Sequence, residues 1–337
     1  MIFDAIEFED LDLLAHALEV DPESIEIVEE ASDHFSPLSM ACRQPFRAAV
    51  SYLISCGANI NARDINEETP LFAAVATDGA DALFTNADIE IVKILISEGA
   101  DVNTQNKKLY TPLMLACRYG RRDIALLLLE NGARVEMTDN EGDTALSSAA
   151  FWKKISCIQS LVTEYHADVN TVNDAGITPL MWACHRGHAD LAALLVSYGA
   201  NIYAKNNEED TVLMIACSQR GNTEFVKYLL QQQIDVNTQN LNGRTALHFA
   251  VTKKGLQCGL VDVAVALISN GADVFIRDKK GKTPLDKCHR RIYNRIKRAY
   301  ARRAVLLLSI SSNCVENIYR KLYCSNTDVL RRIMSFV

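Results

Sequence analysis

A chain of 337 residues, 49% hydrophobic and 23% charged, can bury a core, which excludes wholesale disorder. Its fifteen glycines and seven prolines are too few for a collagen-like or linker-dominated chain. The net charge of −7 conceals polarised ends: residues 1–34 hold twelve Asp or Glu and no Lys or Arg, whereas residues 277–337 carry sixteen basic and four acidic side chains.

No basic segment follows Met1, and no apolar run nears the roughly 18 residues of a membrane span. The expectation is an intracellular, cytoplasmic protein, with the nucleus also open to it, whose ten cysteines stay reduced. Residues 1–30 read as acidic capping helices. Phe3, Ile6, Leu11, Leu14 and Leu18 recur at helical spacing before the Asp21-Pro22 turn, and the acids give a terminal element its polar outer face.

From residue 31 a phrase repeats: Ser36-Pro37-Leu38, Thr69-Pro70-Leu71, Thr111-Pro112-Leu113, Thr144-Ala145-Leu146, Thr178-Pro179-Leu180, Thr211-Val212-Leu213, Thr245-Ala246-Leu247 and Thr283-Pro284-Leu285. The separations are 33, 42, 33, 34, 33, 34 and 38 residues. The two long gaps are one period plus inserts, placed at 76–88 and 255–260. Repeats thus start near 31, 64, 106, 139, 173, 206, 240 and 278, and the array ends at 288. A second phrase, Gly-Ala followed by Asn or Asp, closes several of them at Gly57, Gly99, Gly199 and Gly271, with Gly132-Ala133 in the same place.

Both phrases have physical reasons. A Ser or Thr hydroxyl caps free amides at a helix start, and Pro at the first helical position gives up an N–H that has no partner there. Glycine takes the left-handed conformation that ends a helix. Between these signals lie two apolar stretches per repeat, as in 112–118 and 124–130. Each repeat is therefore a helical hairpin whose apolar face only its neighbours can cover. One array replaces the two domains that this length would otherwise suggest.

The two phrases in register resemble the ankyrin repeat from residue 31 to about 288. The resemblance implies an all-α solenoid of about eight hairpins with helical caps, acting as a non-enzymatic protein-binding module, monomeric on its own, without cofactor or small-molecule substrate. In such arrays partners lie on the hairpin fingertips and the concave face of the first helices. Those places map onto Lys107, Lys108, Tyr110, Arg118 and Tyr119 in the third repeat. They map onto Asn140, Glu141, Asp143, Phe151 and Trp152 in the fourth, and Asp174, Ile177, His185 and Arg186 in the fifth. Aromatic and Arg side chains are the types that dominate interfaces. Phe151 and Trp152 either pack on neighbouring helices or present an exposed anchor, since Lys153-Lys154 replaces the usual Gly-His turn beside them. Asn61, Asn103 and Asn237, each eight residues after a Leu, resemble the context of a cellular asparaginyl hydroxylase; a turn-stabilising Asn explains them equally well.

Other constellations reduce to the repeat. Cys42, Cys117, Cys184 and Cys217 share one position and read as small buried residues, and no Cys-x-x-Cys pair suggests zinc. Gly281-Lys282-Thr283 lacks the glycine that a phosphate loop needs, having Ile276 there. His185 and His188 have no third metal ligand, and the Asp139–Asp143 stretch lacks the later bidentate Glu of a calcium loop. No catalytic, cofactor-binding or metal residue is expected.

Residues 289–337 form a basic helical region. In 289–303, seven basic residues accompany Ile292, Ile296, Ala299 and Tyr300 at helical spacing, a pattern open to nucleic acid, a membrane surface or an import receptor. At the end, Asp328, Leu330, Ile333, Met334 and Val337 resemble the opening helix of an F-box, without its Leu-Pro, as in ankyrin proteins of poxviruses and algal giant viruses. That resemblance implies recruitment of the Skp adaptor and cullin of a ubiquitin ligase while the array holds a target. The alternatives are a scaffold or inhibitor whose tail only caps the array, and nucleic-acid or membrane association through 289–303.

Overall fold

The computed structural model describes residues 1–26, 35–76, 85–219, 222–251 and 258–288, with 295, 296, 298 and 299. It divides into two compact bodies, Met1–Trp182 and Ala183–Val337. The N-terminal body opens with α1 (Ile2–Glu7), α2 (Leu11–Val20) and a 3-10 turn at Pro22–Glu26. Hairpins follow from α3 (Pro37–Arg43) with α4 (Arg47–Ser55), α5 (Pro70–Ala76) with α6 (Thr85–Ser97), α7 (Pro112–Tyr119) with α8 (Arg122–Glu130), and α9 (Ala145–Phe151) with α10 (Ile155–Thr163). Helix α11 (Pro179–Arg186) runs through the boundary. The C-terminal body continues with α12 (Ala189–Ser197), α13 (Val212–Cys217), α14 (Thr223–Leu230), α15 (Ala246–Ala250), α16 (Cys258–Ser269) and a 3-10 turn at Pro284–Lys287. The all-helical repeat class read from the sequence is the class observed.

The helix starts follow the capping argument. The hydroxyl oxygens of Ser36, Thr111, Thr144, Thr178, Thr211 and Thr283 each accept from the amide three residues on, at 3.2–3.3 Å. Second helices end on left-handed Gly57, Gly99, Gly132, Gly199 and Gly271, while His166 and Gln233 adopt φ of +54° at the corresponding place. The core runs between the helices: α7 buries Pro112 to Cys117, and α8 buries Ile124, Ala125, Leu128 and Leu129. A buried leucine contributes about 1.5–3 kcal/mol, so most of the stability of a repeat comes from its neighbours.

The N-terminal cap is a helix pair, with Asp10 accepting from the Leu13 amide at 2.9 Å and Ile2, Ala5, Ile6, Leu14, Ala17 and Leu18 buried. Leu11 corrects the expected stripe: it begins α2 beside the cap and is 38% exposed. Periodicity identifies a face but not how far its cover extends. Phe3 is half-buried.

Between hairpins the fingertips share one device. The Oδ1 atom of Asp64, Asn106, Asp139 and Asn173 accepts the amides two and four residues on, at 2.8–3.0 Å. Asn206, Asn240 and Asp278 repeat this in the C-terminal body. In the N-terminal body each fingertip after the first bonds to the previous one through backbone: Lys107 N to Asn66 O, Asn140 N to Lys108 O, and Asp174 N to Glu141 O, at 2.8–3.0 Å. Leu241 N to Glu208 O and Lys279 N to Asn242 O do the same in the C-terminal body.

The three Asn residues of the Leu-spaced pattern are clamps. Asn61 donates from Nδ2 to Gly99 O and accepts from Asp101 N. Asn103 bonds Gly132 O and Arg134 N likewise, and Asn237 bonds Gly271 O and Asp273 N. Each carboxamide ties one inter-repeat loop to the next.

Asp139→Ala leaves two fingertip amides unpaired and should cost about 1–3 kcal/mol in urea unfolding. Asp139→Asn should cost little, because Asn106 and Asn173 perform the same role with a carboxamide.

Candidate functional site

Seven positions after the Ser/Thr cap stands a residue at or near the end of the first helix in each of the four hairpins of the N-terminal body. Successive repeats place Arg43, Ala76, Arg118 and Phe151 there. Two arginines thus flank a small residue, and a cleft of about 510 Å³ opens at Ala76. Ala73, Ala76 and Leu115 contribute its apolar lining, and Asn66, Glu68 and Asn106 its polar part, with Phe35, Tyr110 and Tyr119 also on its wall.

Each arginine places its guanidinium over an aromatic ring. The Arg43 guanidinium lies 5.0 Å from the Phe35 ring centre and that of Arg118 lies 5.2 Å from Trp152. Such stacking leaves the in-plane N–H groups available to a carboxylate. Lys107 and Lys108 add two exposed cations from the fingertip. Glu68 is the carboxylate in the lining; it accepts from Asn106 Nδ2 at 2.8 Å, and burial pushes its pKa up against that hydrogen bond.

Behind Arg118 stands an aromatic cluster. Phe151 meets Trp152 and Trp182 edge-on, with ring centres 5.1 and 5.0 Å apart, an arrangement that suits ring quadrupoles. Trp182 Nε1 donates to Asp143 Oδ1 at 2.9 Å. Burial raises the Asp143 pKa, with the Trp182 and Asn173 hydrogen bonds opposing. Trp152 remains 41% exposed while Phe151 is half-buried, so one ring of the pair packs and the other faces outward. Lys153 turns the chain at φ +56°, where α7 and α11 are followed by left-handed Gly120 and Gly187.

Of the residues singled out from sequence, Lys107, Lys108, Tyr110, Arg118 and Tyr119 line the cleft, and Phe151 and Trp152 join through Arg118. Ile177 is half-buried and does not line the cleft; His185 and Arg186 are exposed in the C-terminal body. Asn140, Glu141 and Asp174 are exposed on fingertips, whereas Asp143 is buried. Sequence reading passed over Arg43, Phe35, Ala76 and Trp182; lining up the position seven residues after each cap exposes the Arg43–Ala76–Arg118 row. It also passed over Leu109, a fingertip residue that is 44% exposed and held at φ +58°.

The four Ala-Cys cysteines are buried. Burial lifts the Cys42, Cys184 and Cys217 thiols far above the usual thiol range, which suits packing and not nucleophilic chemistry. No group of metal-binding side chains occurs among the described residues, nor any helix long and apolar enough to cross a membrane. The tail residues Asp328, Leu330, Ile333, Met334 and Val337 lie outside the described residues, as do 77–84 and 255–257 of the two inserts. Of the basic segment, Ile296 is buried and Arg295 pairs with Asp262 at 3.0 Å.

Leu109→Gly should raise unfolding stability by about 0.5–1 kcal/mol, the relief of a left-handed side chain less glycine's added freedom. Gly142→Ala should lower it, because a Cβ there would meet the Asp174 amide nitrogen at 2.8 Å. Asp143 gives a pH test. Its carboxyl binds a proton more tightly in the folded chain, so its contribution to stability falls as pH rises from the ordinary value of 3.8 through the higher folded value. Asp143→Asn should flatten the pH dependence of the melting temperature in that window.

Family models described as ankyrin repeats match residues 33–62 and, in overlapping three-copy matches, 80–173, 153–240, 180–278 and 213–297. Among curated proteins, the mouse B-cell lymphoma 3 protein homolog is 28% identical over 252 residues, covering 74% of this chain and 53% of that protein. Human neurogenic locus notch homolog protein 1 is 30% identical over 213 residues, which is 59% of this chain and 8% of its own length. The Caenorhabditis elegans ankyrin repeat and KH domain-containing protein mask-1 is 31% identical over 230 residues, with the same shares. The chain therefore spans about half the first relative and a small part of the other two.

Proposed function

The chain belongs to the ankyrin-repeat family, an array of helical hairpins for protein–protein interaction, and we propose that it is a non-enzymatic adaptor holding a target protein on the face around the Ala76 cleft. The observation that carries this reading is the pair of arginines set over aromatic rings, with Lys107 and Lys108, around a cleft of mixed apolar and polar lining. Arginine and aromatic side chains around a concave surface are the types that anchor protein interfaces.

The second arm of the proposal is the segment 325–337. Its Asp328, Leu330, Ile333, Met334 and Val337 pattern supports recruitment of the Skp adaptor and cullin of a ubiquitin ligase. The scaffold alternative, in which the tail only caps the array, draws on the buried Ile296 and on the Arg295–Asp262 pair.

Purification of the tagged chain from eukaryotic lysate, followed by mass spectrometry, separates the two arms. Lys107→Glu with Lys108→Glu should lose target proteins while keeping the ligase components, and deletion of 325–337 should do the reverse. An unchanged protein set from the folded double variant would overturn the cleft reading. Retention of Skp and cullin without the tail would overturn the adaptor reading.

A further inference from the structure

Protein binding at the cleft leaves open what kind of segment it takes; the charges and spacing narrow it. We propose that the cleft binds a short extended peptide with two acidic side chains about six residues apart, one for Arg43 and one for Arg118. This rests on the reading that this face binds protein.

Arg43 and Arg118 occupy the same position two repeats apart, with Ala76 between them. Helices packed side by side lie about 8–10 Å apart, so the two guanidinium stems are separated by about 20 Å. An extended chain rising about 3.3 Å per residue covers that distance in about six residues. Each guanidinium already rests against a ring, Phe35 or Trp152, which holds it before any partner arrives and suits a forked contact with a carboxylate. Among the described residues no carboxylate lies within ion-pair distance of either arginine, and Glu68 attracts Arg43 and Lys108 through space, so an incoming carboxylate would share that field.

The middle of the peptide crosses Ala73 and Ala76, whose small side chains admit a backbone closely. Lys107 and Lys108 sit over the same cleft, and Glu68, its one acidic lining residue, is already tied to Asn106. A nucleic acid fits less well. The carboxylates of Asp139, Glu141 and Asp143 act on Tyr110 beside Arg118, and they repel a continuous run of phosphates more strongly than two separated side-chain acids.

The test is selection of phage-displayed random nonapeptides on the full chain, with fluorescence polarisation of the selected peptides. Enriched clones should carry two Asp or Glu about six positions apart. Arg43→Gln and Arg118→Gln should each weaken their binding about tenfold or more, as loss of a charge-assisted hydrogen bond does. Ala76→Arg should abolish binding by filling the cleft, with melting temperatures near wild type establishing that all three variants fold. Enriched peptides that lack the acidic pair yet are blocked by Ala76→Arg would overturn the acidic assignment and leave protein binding at the cleft standing. Acidic peptides indifferent to Arg43→Gln and Arg118→Gln would overturn it too. If no peptide is sensitive to Ala76→Arg, the cleft reading itself falls. Tighter binding of a 20-residue oligouridylate than of any selected peptide would assign the face to nucleic acid instead.

Discussion

One oxygen per repeat organises the fingertips. The Oδ1 atom of Asp64, Asn106, Asp139 or Asn173 gathers two amides of its own turn, and the closed turn then offers its backbone to the fingertip beside it. An aspartate or asparagine suits the task because its short side chain reaches amides two and four residues on without help. The helices supply most of the apolar burial, while these bonds set the register in which one hairpin lies against the next. Lys107 and Lys108 hang over the cleft because they belong to such a turn, anchored on both sides.

That anchoring explains how the chain tolerates side chains where glycine would be easier. Glu67, Leu109 and Glu209 stand in the left-handed region at fingertips where Gly142, Gly176 and Gly243 stand in other repeats. Each such residue costs about 1–2 kcal/mol relative to an unstrained backbone, and the surrounding hydrogen bonds over-determine it. At Leu109 the cost is accompanied by an exposed apolar side chain next to the two lysines.

Much of the fold was legible because it depends on local chemistry. Ser36 and Thr111 cap their helices as their hydroxyls predict, and Gly57 and Gly132 end helices in the conformation glycine permits. The Asn61, Asn103 and Asn237 pattern is accounted for by contacts across repeats that no local rule contains. The cleft was legible only in part. Tyr110, Arg118 and Tyr119 could be placed by position, but an opening depends on what is missing, and Ala76 carries no signal until it is compared with Arg43 and Arg118. Nor does spacing reveal that Arg118 lies on Trp152, or that Trp182 closes the cluster through Asp143. Leu11 shows the opposite failure, a residue in the right register at the edge of its helix and left exposed.

The backbone bonds between fingertips all run one way. In each of those described, the amide belongs to the later repeat and the carbonyl to the earlier one. A chain emerging from a ribosome presents its N-terminal portion first, so through these bonds a new hairpin donates to a fingertip that precedes it. Growth from the first repeat onward leaves a fingertip carbonyl exposed until the next hairpin is made. The Asn clamps work in the opposite sense, since Asn61 and Asn103 donate from the earlier repeat to carbonyls of the later one, so each finished edge offers the next hairpin both an acceptor and a donor.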